Sequence, residues 1–225
     1  MNNSFKPFSL PAVMAVLFSF VLLSACRKEP EELIMIIEGR VTDSAGGQGV
    51  QGVFVSLSQK ALEDGAFVAA FQPVSSVVTS GDGFYRFEFK RANASAYRLE
   101  FNKALYFPTY VDINPDLLRP DIPFAQETSL DPVAWARTII RNNLPESLND
   151  LISFNYVNAD FACSCCSNEQ LTLSGMLVDT SFICALPGNY KLKYFINVEK
   201  DSSGYVQLDS IICSPFDTTY IDISY

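Results

Sequence analysis

Thr79-Ser80-Gly81-Asp82-Gly83-Phe84-Tyr85-Arg86-Phe87-Glu88-Phe89 is the stretch that decides the fold class. Its first five residues are turn chemistry. Glycine takes positive φ without a Cβ clash, and short Ser and Asp side chains bond nearby backbone amides. Gly81 and Gly83 are the expected positive-φ positions of a tight hairpin. The residues that follow alternate, Tyr85 apart, with Arg86 and Glu88 on the wet side. A period of two belongs to a strand with one buried face. The pattern recurs on both sides. Upstream, Val53, Val55 and Leu57 share one face while Phe54 and Ser56 take the other. Downstream, Tyr97-Arg98-Leu99-Glu100-Phe101 repeats it. Leu33 to Val41 is a further strand, ended by the turn-rich Asp43-Ser44-Ala45-Gly46-Gly47. Short alternating strands at near-regular spacing predict an antiparallel sandwich.

Pro120, Pro123 and the polar Gln126–Ser129 mark a boundary, which divides the chain into domains at 33–125 and 126–225. In the second domain Ile152–Tyr156 alternates, and so does Tyr190–Tyr194 onward through Ile196 and Val198. Asp201-Ser202-Ser203-Gly204 turns the chain into Tyr205–Cys213, and Thr219, Ile221, Ile223 and Tyr225 share a face of a final strand. Asp131-Pro132 is ambiguous. Asp as N-cap and Pro at the first helical position favour a helix. The neighbouring strands and Ile139-Ile140 favour β, and 131–142 is taken as a strand. Trp135 is expected to fill the core, with an aromatic at a binding edge as the alternative. The expected fold class is all-β: two tandem antiparallel β-sandwiches of transthyretin-like or immunoglobulin-like type.

Charge and composition narrow the function. The formal charge of −9 repels nucleic acid, whose binding rests on Lys and Arg neutralising phosphates. There is no histidine. That removes the Ser-His-Asp and Cys-His pairs, the imidazole base and any His-bearing zinc site. Asp43, Asp82 and Asp179 are the carboxylates that could be nominated as acids or calcium ligands. None sits in a D-x-D-x-D-G loop, and Asp in a turn is ordinarily occupied by backbone N–H groups. No catalytic residue, metal or cofactor is expected.

Six cysteines punctuate the chain: Cys26, Cys163, Cys165, Cys166, Cys184 and Cys213. The last five lie in the second domain, and in an exported chain their default is disulfide bonding. One arrangement joins Cys184 and Cys213 to the Cys163–Cys166 cluster by two bridges. The other joins Cys184 to Cys213 directly. Five is odd, so one thiol stays free or pairs between chains. A thiolate metal site at Cys163, Cys165 and Cys166 has an unusual spacing, and Cys163-x-x-Cys166 lacks the βαβ setting of a redox motif.

Export itself is read from residues 1–25. Lys6 supplies a positive start and Pro11–Leu23 an apolar run too short to span a bilayer, which takes roughly 20 apolar residues. The run ends in Leu23-Ser24-Ala25-Cys26, which resembles the bacterial lipobox. The resemblance implies a signal peptide at 1–25, cleavage before Cys26 and a lipid on its thiol. More than one acyl chain on that cysteine would anchor the protein stably. Residues 26–32 then form a tether. Lys28-Glu29 and Glu31-Glu32, interrupted by Pro30, are similar to the export signal of surface lipoproteins of the Bacteroidetes. That implies an outer-membrane protein exposed at the cell surface, with the periplasmic face as the alternative.

Two further resemblances concern the body of the chain. Glu38-Gly39-Arg40-Val41-Thr42-Asp43, Gly49–Val55 and Thr79-x-x-x-Gly83-Phe84-Tyr85-Arg86-Phe87 resemble the carboxypeptidase regulatory-like, or transthyretin-like, domain. Gly49 or Val50 stands where that pattern has proline. The resemblance implies a fold and leaves function open, because such modules attach to many kinds of protein. Asp43-Ser44-Ala45, Asp209-Ser210-Ile211 and Asp217-Thr218-Thr219 resemble the O-glycosylation motif of Bacteroidetes, with Ser44, Ser210 and Thr218 as acceptors. The expected function is a non-catalytic, membrane-anchored binding, adhesion or structural module for an unknown protein or glycan. An accessory subunit of an uptake complex and a carboxylate-dependent hydrolase are the alternatives.

Overall fold

The computed structural model describes residues 32–63, 66–67, 69–159, 161 and 165–225. Cys26, Lys28, Cys163 and the whole proposed leader lie outside them. Among the described residues no helix is long and apolar enough to cross a membrane. The fold is all-β, two β-sandwiches in tandem.

The first sandwich contains β1 (Ile34–Asp43), β2 (Phe54–Glu63), β3 (Ala66–Phe67), β4 (Gln72–Val78), β5 (Phe84–Lys90), β6 (Ala94–Asn102), β7 (Thr109–Ile113), β8 (Pro123–Ala125) and β9 (Thr128–Leu130). One sheet runs β5-β1-β8, with β9 pairing further along β1. The facing sheet runs β3-β2-β6-β7, with β4 also on β2. Alternation puts Ile37, Val41, Val55, Leu57, Leu99 and Phe101 inside, each fully buried. Pairing is antiparallel except that β8 and β9 run parallel to β1. Leu130 of β9 belongs to this first core, so the polar Gln126–Ser129 lies within the sandwich and leads into its last strand.

The deciding hairpin forms, with two corrections. Tyr85, Phe87 and Phe89 form the buried row of β5, and it is Phe84 that joins Arg86 and Glu88 outside. Tyr85 is in step because its hydroxyl donates to the Gln126 carbonyl at 2.7 Å, which lets a phenol sit in the core. Of the two glycines only Gly83 has positive φ, +82°. It is also where a Cβ would lie 2.2 Å from the Val41 carbonyl oxygen, so the close approach of β1 requires glycine.

The second sandwich contains β10 (Val133–Arg141), β11 (Leu151–Tyr156), β12 (Leu171–Ser174), β13 (Asp179–Pro187), β14 (Tyr190–Glu199), β15 (Gly204–Cys213) and β16 (Thr218–Ser224). Its sheets run β13-β10-β16 and β12-β11-β14-β15. The strand reading of 131–142 holds as β10. Pro132 precedes it and costs no ladder bond, since Val133 is the first strand residue. β16 runs parallel to β10. Ala134, Ala136, Thr138 and Ile140 are the row that β10 buries. Trp135 is therefore on the opposite, outward face at half burial, beside Ala185 and Thr218. It does not fill the core as expected. Strand parity overrides its size, because shifting the register by one residue would expose the whole inner row.

Candidate functional site

β12 and β13 are the edge strands on one side of the second sandwich, one in each sheet. β12 is only four residues long. Leu171 and Leu173 face inward from it, and Thr180, Phe182 and Cys184 face inward from β13. Fully enclosed packing would bury these rows, yet all five residues are half-buried. Between them the two sheets stand open as a cleft of about 460 Å³. That volume lies within the usual range for ligand pockets, about 300–1,000 Å³.

Phe154 and Tyr156 of β11, both buried, make the floor. The Phe154 ring meets Tyr156 edge-on at 5.1 Å and Phe182 at 5.7 Å. The Tyr156 hydroxyl shares a buried 2.7 Å hydrogen bond with the Thr138 hydroxyl and lies 3.6 Å from Cys184 Sγ. Burial, partly offset by that bond and reinforced by Cys213, pushes the Tyr156 pKa up to about 12. The floor is thus apolar and its one polar group is already satisfied.

The rim is the segment from Cys165 to Gln170. Beside a disulfide at Cys165, three bonds hold it. Cys166 is disulfide-bonded to Cys184, the Cys166 amide donates to the Ala185 carbonyl at 3.0 Å, and Asn168 Oδ1 accepts from the Ala159 amide at 2.7 Å. Ser167, Glu169 and Gln170 are exposed and surround the mouth. An aromatic floor, leucine walls and a polar mouth can hold an apolar body by burial and dispersion.

The cysteines are only partly as expected. Cys166–Cys184 is one bridge between Cys184 and the cluster. Cys165 is disulfide-bonded too. Sulfurs oxidised in this way are not thiolate ligands, so Cys165 and Cys166 do not build a metal site. Cys213 carries a free thiol, against both expected pairings. It is fully buried at the end of β15, where burial pushes its pKa up against the pull of a Thr219 hydrogen bond. An inert core thiol needs no partner.

The nominated carboxylates are occupied by the backbone and by arginine. Asp43 Oδ1 accepts from the Ala45 and Gly46 amides, at 2.7 and 2.8 Å, and its Oδ2 accepts from the Tyr106 hydroxyl at 2.8 Å. Asp82 accepts from the Ser80 hydroxyl, the Phe84 amide and Arg40, and the Ser80 bond is the largest cause of its lowered pKa. Asp179 pairs with Arg141 at 3.3 Å. These three do not converge on the cleft. Of the glycosylation candidates, Ser44 donates its hydroxyl to Asp131 at 2.6 Å where the sandwiches join. Ser210 and Thr218 are half-exposed on β15 and β16.

Sequence reasoning missed a buried polar clasp at the opposite end of β11. Lys200 Nζ donates to Asn142 Oδ1 at 3.1 Å and to the Leu144 carbonyl at 2.7 Å, and lies 3.9 Å from Asp150. Asp150 also accepts from Asn142 Nδ2 and from the Glu146 and Ser147 amides. The cleft was missed as well. Its signal was the pair of short apolar alternations, Leu171-x-Leu173 and Thr180-x-Phe182, lying between two bridged cysteines.

No family model matches the chain, and no curated protein does. Solved structures do match in outline. The shaft pilin SpaA from Lactobacillus rhamnosus GG, as an E269A/D295N double mutant, is similar at 11% identity over 86% of this chain and 97% of its own, with a TM-score of 0.31. The Streptococcal ancillary pilin is similar at 11% identity over 86% of this chain and 63% of its own, at 0.35. The Bacillus anthracis TIE protein is similar at 9% identity over 85% of this chain and 34% of its own, at 0.33. Scores this low carry no argument about what this chain does.

Proposed function

We propose that this chain is a non-catalytic binding module held at the outer cell surface by a lipid on Cys26, with the cleft of the second sandwich as its ligand site. The cleft is the observation that carries the binding reading. It is a concave, aromatic-floored space at a sandwich edge, rimmed by a segment that the Cys166–Cys184 bridge and backbone and Asn168 hydrogen bonds hold in place. The leader, the lipobox-like Leu23–Cys26 and the acidic tether support the anchor and the location. Ser44, Ser210 and Thr218 are the proposed glycan acceptors, which an intact mass equal to that of the unmodified lipoprotein would reject.

The test is protease shaving of intact cells beside a Cys26→Ala variant. Cleavage of the wild type from outside, with release or mislocalisation of the variant, supports a surface lipoprotein. Protection of a membrane-bound wild type overturns surface display and moves the protein to the periplasmic face. A second reading, an accessory subunit of an envelope complex, is favoured by the apolar side chains on the outer sheet faces. Ile183, Leu208 and Tyr220 are each more than half exposed. It predicts one stable, stoichiometric partner after crosslinking, where an adhesin gives none.

A further inference from the structure

We infer that the cleft takes a small amphiphile whose apolar body enters between the sheets and whose uncharged or cationic end stays at the mouth. This rests on the binding reading above and names the ligand class. Depth and polarity fix the orientation. The floor presents two aromatic rings, a disulfide and a hydroxyl already bonded to Thr138. A polar group pushed to that depth would lose water and find no free partner, which is costly. Among the described lining residues, free polar contacts come from Ser167, Glu169, Gln170 and Thr180, away from the floor.

Charge decides which polar ends are accepted. Among the described residues, Glu169 is the one charged residue lining the cleft, and no Lys or Arg is among those lining residues. The chain as a whole carries −9. A carboxylate or sulfonate head would meet repulsion without a counter-charge, whereas an ammonium head would meet a carboxylate. Glu169 is exposed, so the discrimination it supplies is modest, about two- to five-fold, the range of a solvated ion pair.

The test uses the mature protein with its disulfides intact. N-phenyl-1-naphthylamine, an uncharged fluorescent amphiphile, is titrated into the wild type and into Thr180→Trp. That change fills the mouth from a half-exposed strand position where an aromatic is well tolerated, and a thermal melt checks the fold. Dodecylammonium and dodecanoate, matched in chain length and kept below micelle formation, then compete for the probe. The expected result is saturable binding to the wild type, a loss of at least ten-fold in Thr180→Trp, and a two- to five-fold advantage for the amine. Glu169→Gln should bring that advantage close to one. If the probe does not bind, or binds a folded Thr180→Trp equally well, both the binding reading and this inference fall. If Thr180→Trp blocks the probe but dodecanoate competes as well as the amine, the cleft stands and the ligand class is wrong.

Discussion

The two sandwiches close their cores by different means. In the first, the closing devices are apolar side chains and strands. Tyr97, Phe87 and Phe101 are fully buried, and β8 and β9 seal the edge of β1 in succession. In the second, the apolar rows run out at β12, and the gap is spanned by a disulfide and a fastened rim, while a buried Lys200–Asp150 clasp holds the far end of β11. The difference shows where binding capacity can come from. An edge sealed by strands leaves no room between the sheets. An edge held by a crosslink keeps its shape without being filled, and Phe182 stays half-buried as a wall.

If the first sandwich depends on packing, cutting its core should hurt it alone. Phe101→Ala should cost the first sandwich about 3–5 kcal/mol, the usual price of removing a buried ring, while Phe182→Ala should cost the second about 1–2 kcal/mol because that ring is already half in solvent. Trp135 is the only tryptophan and lies on the second sandwich. Its fluorescence therefore follows the second unfolding transition and far-UV circular dichroism follows both. A Phe101→Ala protein whose Trp135 transition moves as far as the total would show that the sandwiches unfold as one unit.

The crosslink comes next in size. Cys166 and Cys184 are 18 residues apart, and closing a loop of that length removes about 3 kcal/mol of denatured-chain entropy. The double variant Cys166→Ser with Cys184→Ser should lower the urea midpoint of the Trp135 transition, spare the first sandwich, and weaken uptake of an uncharged probe. Retained probe binding with a lowered midpoint would show that the rim keeps its place without its bridge to Cys184.

Most of this architecture was legible because strand parity is local. Val53, Val55 and Leu57, or Ile221 and Ile223, announce their buried faces within a few residues. Trp135 and Tyr85 were misplaced where residue type was weighed above parity: a large ring suggested the core, and a phenol suggested an exception. The cleft and the clasp were illegible for another reason. Leu171 and Phe182 come to line one cleft, and Lys200 meets Asn142 and Asp150, only after the sheets stack; the alternations at 171–173 and 180–182 mark inward faces without saying that they meet. The bridge was half legible, since five cysteines forced an odd thiol without saying that β15 would bury it.

The clasp predicts an acid limb in the second sandwich, beyond the one that the exposed Asp82 and Asp112 give the first. Burial pushes the Asp150 pKa up, but the bonds from Asn142, Glu146 and Ser147, with Lys200 nearby, pull it down further, so the net shift is below the usual carboxylate value. A lowered folded pKa means stability that is fully present above the unfolded value, near about 3.9, and lost as pH falls through the folded one. The Trp135 transition should weaken below about pH 4 more steeply than the first sandwich's. Asp150→Asn should lower stability at neutral pH and flatten that limb. An unchanged acid slope in the variant would assign the limb to other carboxylates.

The smallest expected effect tests whether the clasp is electrostatic or a matter of packing. Tyr225 closes the second core beside Lys200, whose ammonium lies 5.0 Å from the ring centre, and its hydroxyl is buried with no hydrogen-bond partner among the described residues. A desolvated, unpaired hydroxyl is a cost, while the ring and the cation–π contact are gains. Tyr225→Phe keeps both gains and removes the cost. It should leave the second sandwich unchanged or more stable by up to about 1 kcal/mol. Tyr225→Leu keeps the burial but loses the ring face toward Lys200, and should lower the Trp135 transition by about 0.5–1 kcal/mol relative to Tyr225→Phe. Equal stability of the two variants would mean that apolar volume alone matters at this position, and that the clasp rests on its hydrogen bonds to Asn142 and Leu144.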